Sequence, residues 1–313
     1  MPPELLKDRR IGRKLSHRYY IMTYKDWKTN WRRPMCQITE SIGEAGNLKA
    51  ETLRILMKNE ICVDEYEPQL DKADSKESAT QAKNDHIFES LKVFSRDVDA
   101  ESNEWIVPQE EIDKRLDLRQ RRIFSIDPVT AKDLDDALSI EKITETVYEV
   151  GVHIADVSYF VQQGTDLDQE ALKRSTSTYL VHKVYPMLPR ILCERLCSLN
   201  PNVDRLAYSI FFRLDLQAGQ LVPDHVPEIK RSIIRSCVKW NYDLAQKIID
   251  DKLTSEDQLD DEMKPKDGHN FLDLAQDVLK LHQIAQVRRK HRVAGGSLVF
   301  VNGAFHFTLN EET

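Results

Sequence analysis

The sequence has few of the features that mark membrane, exported or disulfide-stabilised proteins. No apolar run approaches the roughly 18 residues that a membrane-spanning helix requires, so we expect a soluble protein without a membrane partner. Residues 1–4 lack the apolar stretch of a secretory signal, and export is not expected. Five cysteines are scattered along 313 residues, and only Cys193 and Cys197 lie close together. Their spacing is not that of a zinc site, which predicts reduced thiols.

The chain also lacks an excess of positive charge, since 45 Lys or Arg stand against 52 Asp or Glu and the formal net charge is -7. The charge is segregated, however. Residues 1–34 hold ten Lys or Arg against three Asp or Glu, a local net charge of +7, which leaves -14 for the remainder. The charge of the whole chain therefore does not exclude a nucleic-acid partner.

Aromatic residues alternate with the basic ones in this first segment. Single-stranded RNA is bound by aromatic rings that stack on its bases and by cations that neutralise its phosphates. The candidate RNA contacts are Trp27, Trp31, Arg32 and Arg33. The alternative is a small barrel whose aromatics form the core and whose basic loops are simply solvated.

Composition and periodicity divide the chain into four predicted segments. Residues 1–17 are a basic N-terminal remnant, and residues 18–66 have the size of an all-β barrel of the OB type. Residues 67–104 have little to bury over most of their length and are predicted to be a linker and mobile loop. Residues 105–313 show the pattern of a mixed sheet with helices. The predicted fold class is therefore α+β.

Hydrophobic periodicity predicts the elements of the last segment. The predicted strands are 123–126, 137–140, 147–155 and 207–216, and the predicted helices are 167–173, 190–196, 242–249 and 270–292, with one more after Pro108. The dipeptide Asn302-Gly303 indicates a hairpin over residues 297–309.

Four aspartates fall within ten residues of this segment: Asp127, Asp133, Asp135 and Asp136. Carboxylates gathered so closely repel one another unless a divalent cation or a proton relieves the repulsion. Strands are predicted on both sides, so the aspartates lie on a loop that can turn them toward one point. Such hard oxygen ligands suit Mg²⁺, with Mn²⁺ as an alternative, and metal-assisted phosphodiester hydrolysis is the natural use of the site.

Three other interpretations of the cluster are weaker. A calcium loop of the EF-hand type starting at Asp127 needs oxygen ligands at its third and fifth positions, where the chain has Val129 and Ala131. A solvated acidic loop does not account for the apolar Ile126 and Leu134, which indicate packing. Helix capping would use one aspartate and hardly all four.

Four long motifs occur in order through this region. They are IDPVTAKDLDDAL at 126–138, GVHIADVSYFV at 151–161, VYPMLP at 184–189 and LCSLNP at 196–201. Together they resemble the catalytic domain of the ribonuclease II family. Residues 26–28, 37–46 and 105–119 are similar to the eukaryotic, cytoplasmic branch that degrades oligouridylated RNA from its 3′ end without the exosome.

The resemblance implies a role for each matching residue. Asp127 and Asp136 match magnesium ligands, Asp133 matches a supporting carboxylate of the metal site, and Asp135 matches the acidic residue most directly tied to catalysis. Tyr179 matches a tyrosine that packs on the terminal nucleotide; without the resemblance, a core tyrosine would be the more common interpretation.

Other polar residues in the motifs need no functional role. His153 and Asp156 are interpreted as structural, because a lone histidine on an apolar strand is usually a satisfied core residue. The four cations Arg288, Arg289, Lys290 and Arg292 could contact RNA, but cations are common at the C-terminus of a helix.

The resemblance also implies partners and surroundings. The expected partner is single-stranded RNA with a 3′ oligouridine tail, and the expected protein is a monomer that acts in the cytoplasm or in P-bodies, in mRNA decay. The family pattern continues past Thr313, so we expect this chain to be a fragment whose activity on its own is open. Its cold-shock barrel at residues 18–66 matches the second of two.

Two main functional hypotheses follow. The first is a Mg²⁺-dependent 3′→5′ exoribonuclease that releases nucleoside 5′-monophosphates. The second is a catalytically silent RNA-binding regulator of translation or mRNA decay. Silent relatives have lost aspartates of the metal site, whereas all four remain here, which favours the enzyme. A protein scaffold without RNA is disfavoured by the basic aromatic segment.

Overall fold

The computed structural model describes residues 17–63, 66, 87, 91, 94 and 104–299. All but the last residue of the predicted N-terminal remnant, most of the predicted linker and all but the first residues of the predicted hairpin at 297–309 lie outside the described residues. The chain forms two compact units, Met1–Lys72 with Arg174–Met187, and Ala73–Lys173 with Leu188–Thr313. No helix in the described ranges is long and apolar enough to cross a membrane.

The first unit contains an antiparallel pair of strands, β1 (Arg18–Asp26) and β2 (Met35–Glu44), followed by helix α1 (Leu48–Lys58). The Asn47 side chain begins the helix by accepting hydrogen bonds from the N–H groups of Lys49 and Ala50. Gly43 has a φ of +145°, and a Cβ there would lie 2.8 Å from the Cβ of Ala50. Glycine is thus needed where the helix packs on the strand.

Helix α1 was not predicted, because residues 18–66 were expected to be all-β. The segment after Asn47 is rich in Leu, Lys, Arg and Met, which are strong helix formers. A good N-cap and these propensities outweigh the strand-like appearance of its short apolar runs.

A second pair of short strands, β7 (Thr178–Tyr179) and β8 (Val184–Tyr185), also belongs to the first unit. Tyr66 connects the two chain segments of this unit. Its hydroxyl donates a hydrogen bond to the Met187 carbonyl at 2.9 Å, and the Arg174 guanidinium lies 3.9 Å from its ring centroid.

The second unit is built on an eight-stranded mixed sheet. Its strands are β3 (Leu116–Asp117), β4 (Phe124–Asp127), β5 (Asp136–Lys142), β6 (Val147–Ala155), β9 (Asp204–Asp215), β10 (Gln220–Leu221), β11 (Glu228–Arg235) and β12 (Val238–Asn241). The order is β12-β4-β5-β6-β9-β11-β3, with β10 beside β9. The pairs β12–β4 and β11–β3 are parallel, and the others are antiparallel.

The helices that accompany this sheet are α2 (Gln109–Lys114), α3 (Val157–Phe160), α4 (Asp166–Arg174), a π-helical turn (Ile191–Leu196), α5 (Tyr242–Ile249), two 3₁₀ turns (Glu256–Gln258 and Asp261–Met263) and α6 (Phe271–Ala294). The four predicted strands and the five predicted helical segments are confirmed, with ends that shift by at most a few residues. The strands β3, β10, β11 and β12 were not predicted.

One hydrophobic core of the second unit lies between the β12 edge of the sheet and helices α5 and α6. Trp240 is fully buried, packs against Phe124 and Phe271, and donates its indole N–H to the Met263 carbonyl at 2.9 Å. Burial of such aromatic side chains stabilises the fold by roughly 1.5–3 kcal/mol each. This core fixes the strand β4 that leads into the aspartates.

A chain of buried polar groups crosses the middle of the sheet. The two ring nitrogens of His153 contact the hydroxyls of Ser139 at 2.9 Å and Ser209 at 2.6 Å, and Ser209 contacts Ser232 at 2.6 Å. A Cβ at Gly151 would lie 2.4 Å from the Ser139 hydroxyl, so glycine leaves room for the chain. Burial, and secondarily the charge of Arg121, lowers the pKa of His153 to about 3.

These contacts confirm the interpretation of His153 as a satisfied core residue. Asp156 is also structural, because its carboxylate accepts hydrogen bonds from Arg115 at 2.7 Å and from the Ser158 hydroxyl at 2.7 Å. The five cysteines are free, as predicted.

Candidate active site

The aspartate loop, defined here as residues 127–136, connects β4 to β5. Strand β4 ends at Asp127, directly before Pro128, which cannot donate a backbone hydrogen bond to a neighbouring strand. Strand β5 begins at Asp136, which pairs with Ile154 of β6. The remaining two aspartates, Asp133 and Asp135, lie on the connecting stretch, as predicted.

Buried contacts hold the middle of the loop. Leu134 is only 1% exposed and anchors it in the core. The Ser198 hydroxyl accepts a hydrogen bond from the Leu134 N–H at 3.0 Å and lies 2.9 Å from the Lys132 carbonyl, to which it can donate. The Leu199 N–H donates to the Leu134 carbonyl at 2.9 Å. The motif at 196–201 is therefore a packing partner of the aspartate loop.

The four carboxylates differ in their exposure. Asp127 is buried, Asp133 is half-buried, and Asp135 and Asp136 are exposed. The Oδ2 atom of Asp127 is buried and has no hydrogen-bond partner in the part of the chain that the structure describes. A buried and unpartnered carboxylate oxygen is costly unless a proton or a cation satisfies it.

The carboxylates also act on one another through space. Burial raises the pKa of Asp127, and the negative charges of Asp136 and Asp133 raise it further, whereas the neighbouring Ser125 hydroxyl and the charge of Lys239 lower it. Partial desolvation raises the pKa of Asp135, followed by the charges of Asp133, Asp136 and Asp127. The loop thus brings all four predicted site residues within electrostatic range of each other.

The donor set fits a hard divalent cation in its chemistry, since it consists of carboxylate oxygens, one of them buried and unpartnered. Among residues 17–63 and 104–299, no three Asp, Glu, His or Cys side chains lie close enough together to form a complete protein cage. Mg²⁺ usually binds through one or two carboxylates, with waters and substrate phosphates as the other ligands. The assignment of Asp127, Asp133 and Asp136 as metal ligands stays a prediction.

The predicted RNA contacts belong to the first unit. Tyr179 lies on β7 with a side chain that is 63% exposed, which does not support the alternative of a core tyrosine. The hairpin connection, residues 27–34, joins β1 to β2 and carries the others. Trp27 is 57% exposed and donates its indole N–H to the Trp31 carbonyl at 2.9 Å.

The cations of the hairpin connection complete this surface. Lys28 lies over the half-buried Trp31 ring, with its Nζ 5.2 Å from the centroid. Arg32 and Arg33 are both exposed. This combination of open rings and cations is suited to a single-stranded polyanion.

The basic end of helix α6 is placed differently. Arg288 lies within 3.5 Å of the Gly219 carbonyl, in the turn that follows Asp215. Asp215 pairs with Val147 at one end of β6, whereas Ile154 near the other end pairs with Asp136. Seven strand residues at about 3.4 Å each separate the two ends by roughly 24 Å. These cations are thus not close to the aspartates.

Two residues that touch the aspartate loop were missed by the sequence analysis. Lys239 of β12 contacts the Ala131 carbonyl, and Ser198 holds Leu134. Ser198 lies in a motif that was used only for the resemblance. Nothing in the sequence around Lys239 indicates the contact, because it arises from the parallel pairing of β12 with β4.

Comparison with known proteins agrees with this geometry. Residues 115–313 match the RNB domain, and residues 1–60 match the Dis3-like cold-shock domain 2, a range that overlaps the predicted barrel. DIS3-like exonuclease 2 of Xenopus tropicalis is 39% identical over 296 residues, which are 94% of this chain and 32% of that protein. The protein named inactive exonuclease DIS3L2 of Arabidopsis thaliana is 37% identical over 91% of this chain and 24% of its own length.

A solved structure shares the fold. RNase R of Mycoplasma genitalium, in complex with ribose-methylated single-stranded RNA, superposes with a TM-score of 0.70 at 20% identity, over 94% of this chain and 39% of that one. The chain spans about a third or less of the length of the curated relatives described above. Because the RNB domain match covers more than half of it, the chain belongs to the RNB-domain, or ribonuclease II, family of 3′→5′ exoribonucleases, in the branch of DIS3-like exonuclease 2.

Proposed function

We propose that the aspartate loop is the catalytic centre of a 3′→5′ exoribonuclease that hydrolyses single-stranded RNA and releases nucleoside 5′-monophosphates. The observation that carries the proposal is the buried Asp127 carboxylate, whose Oδ2 has no hydrogen-bond partner within the described residues, beside Asp133 and Asp136, whose negative charges raise its pKa. An arrangement of this kind is costly to the fold and is characteristic of a site that receives a cation.

Asp127 and Asp136, with Asp133 in support, would hold Mg²⁺ or, as an alternative, Mn²⁺. The bound cation would stabilise the negative charge that develops on the phosphate during hydrolysis. The attachments of Leu134 and Ser198 keep the backbone of the loop in place, so the carboxylates need little reorganisation when RNA and cation bind.

Asp135 would support attack by water. Partial desolvation and its three acidic neighbours raise the pKa of its carboxyl, which makes the carboxylate a better proton acceptor than an ordinary exposed aspartate. Asp135 is exposed, so a water and a phosphate can reach it.

RNA would be bound by stacking and by phosphate contacts. Tyr179 would pack on the terminal nucleotide, and the hairpin connection with Trp27, Trp31, Arg32 and Arg33 would bind further along the strand. We propose an RNA with a 3′ oligouridine tail as the substrate, and a monomeric, exosome-independent protein that acts in mRNA decay in the cytoplasm, including P-bodies.

A decay assay tests the proposal. Oligouridine and oligoadenosine RNAs labelled at the 5′ end are incubated with this chain, with a version extended past Thr313, and with Asp135→Asn variants of both. We expect stepwise shortening that needs Mg²⁺, that is faster on oligouridine and that is absent from the Asp135→Asn variants. Shortening at the wild-type rate by Asp135→Asn would contradict the assignment.

The second candidate is an RNA-binding regulator without catalysis. It is supported by the fact that a relative named as inactive is 37% identical, close to the 39% of one named as an exonuclease. The four aspartates favour the enzyme. If neither length of the chain shortens RNA in the same assay, and both bind it, the regulator is the correct function.

A further inference from the structure

Lys239 contacts the aspartate loop at a different residue from Ser198. It lies on β12, where it pairs with Ser125 of the parallel strand β4, two residues before Asp127. Its half-buried side chain donates a hydrogen bond from Nζ to the Ala131 carbonyl at 2.5 Å. The loop therefore receives an attachment from a strand that is remote in sequence.

The attachment falls in the part of the loop that lacks other anchors. Ala131 forms a local turn with Pro128, to which its N–H donates at 3.0 Å. The buried contacts of Ser198 and Leu199 begin only at Lys132 and Leu134. Without Lys239, the described contacts would leave the stretch between Asp127 and Lys132 held by its own turn alone.

The same ammonium group also acts on Asp127. Lys239 attracts the carboxylate that Asp136 and Asp133 repel. One ammonium group therefore both contacts the backbone of the aspartate loop and lowers the pKa of its buried carboxylate.

We propose that Lys239 is a positioning residue of the active site, which fixes the first half of the aspartate loop through the Ala131 carbonyl so that Asp127 is presented to a divalent cation. This inference rests on the proposed function, because it assumes that the aspartates bind the cation. Lys239 is not proposed to touch the substrate.

The sign of the effect on cation binding separates this role from a simple charge effect. A positive charge near a cation site weakens cation binding by Coulomb repulsion, so its removal alone would strengthen binding. Loss of a hydrogen bond that orients a metal site weakens cation binding instead, and such changes typically cost about 10- to 100-fold in metal affinity. Lys239→Met removes both the charge and the hydrogen bond while keeping an unbranched apolar side chain.

The experiment is a titration of the full chain with Mn²⁺, followed by electron paramagnetic resonance of the free ion, for the wild type and for Lys239→Met, Lys239→Arg and Lys247→Met. Lys247 is an exposed lysine of α5 and serves as the matched control. We expect a loss of about 10- to 100-fold in Mn²⁺ affinity for Lys239→Met, partial recovery for Lys239→Arg and no change for Lys247→Met.

Hydrogen exchange of the loop gives a second readout that does not depend on activity or metal. Peptides covering residues 128–136 should exchange faster in Lys239→Met, while peptides from α6 exchange as in the wild type. An unchanged or increased Mn²⁺ affinity in Lys239→Met, or a loss in Lys239→Arg of the same size, would overturn the inference. Faster exchange across the whole unit would do so too, because it would indicate a general structural role.

Asp127→Asn, titrated in parallel, distinguishes failure of this inference from failure of the proposed function. If Asp127→Asn abolishes Mn²⁺ binding and Lys239→Met does not weaken it, only the role of Lys239 is wrong. If Asp127→Asn binds Mn²⁺ as the wild type does, the aspartate loop is not the cation site, and both proposals fall.

Discussion

The hairpin connection of the first unit and the aspartate loop of the second unit carry opposite charges and are built in opposite ways. The hairpin connection is exposed along almost its whole length, and its described contacts are local, such as Trp27 to Trp31. The aspartate loop is anchored by Leu134, Ser198 and Lys239, which come from three parts of the chain. A surface that adapts to RNA needs open side chains, whereas a cation site needs fixed carboxylates.

The largest effect that would test this contrast is catalytic. Asp135→Asn, in the 313-residue chain or a longer form that shows activity, should lower the rate of RNA hydrolysis by at least about 100-fold, because a positioned proton acceptor contributes about 10²- to 10⁴-fold. The dissociation constant for RNA should stay near that of the wild type. Both are measured with the same oligouridine, by single-turnover decay and by fluorescence anisotropy. A parallel loss of RNA binding would contradict the separate roles of the two regions.

Truncation of a side chain in the aspartate loop should lower the free energy of unfolding, whereas truncation in the β1–β2 hairpin should not. Leu134→Ala removes a side chain that is 1% exposed and should lower the free energy of unfolding by about 2–5 kcal/mol. Met22→Ala removes a hydrophobic side chain of β1 that is 60% exposed, and it should change the free energy of unfolding by less than about 0.5 kcal/mol. Urea unfolding of the two variants measures both. Equal losses would show that the hairpin is as tightly packed as the loop.

A fall in pH should destabilise the second unit through protonation of His153 in the unfolded chain. The unfolded histidine has a pKa near 6.5, and the folded one about 3, so the unfolded chain binds the extra proton between these values. The contribution of His153 to the free energy of unfolding is fully present above pH 6.5. It falls by about 1.4 kcal/mol for each unit of pH below that value, until the pH reaches about 3. Urea unfolding between pH 7 and pH 5 should show this slope, and His153→Gln should flatten it; an equal slope in the variant would exclude His153 as its source.

The smallest effect should come from the hairpin connection. Trp27→Ala should weaken binding of single-stranded RNA by about 1 kcal/mol, the low end for a stacked base, because neighbouring rings and cations share the contact. Its free energy of unfolding should stay within about 0.5 kcal/mol of the wild type. Met22→Ala on the same strand pair is the control and should leave the affinity unchanged in anisotropy titrations. A loss in that control would mean that the surface extends beyond the basic aromatic residues.

Local patterns predicted most of the second unit. The strict alternation in Val147–Ala155 and the amphipathic turns of Tyr242–Ile249 identify their elements without reference to anything else in the chain. The position of the aspartates between two strands followed in the same way. Their motif also led to the family, since the chemistry of the site and the spacing of its residues are both local in sequence.

Non-local contacts could not be predicted. Strand β12 has only four residues, and it becomes a strand because it pairs with β4 and buries Trp240. The role of Lys239 depends on that pairing and is therefore invisible in the sequence. Helix α1 was missed for a different reason. Its Asn47 cap and its strong helix formers are local signals, but residues 18–66 were expected to form an all-β barrel.

The hydrogen bond between Lys239 and Ala131 spans 108 positions of the chain, which has a consequence for biosynthesis. At about 5–20 residues per second, a ribosome needs roughly 5–20 seconds to make the intervening stretch. During that time the aspartates have already been synthesised, but their loop lacks the strand that completes its support. The nascent chain therefore completes the support of its aspartate loop late, after the hairpin of β1 and β2 has left the ribosome.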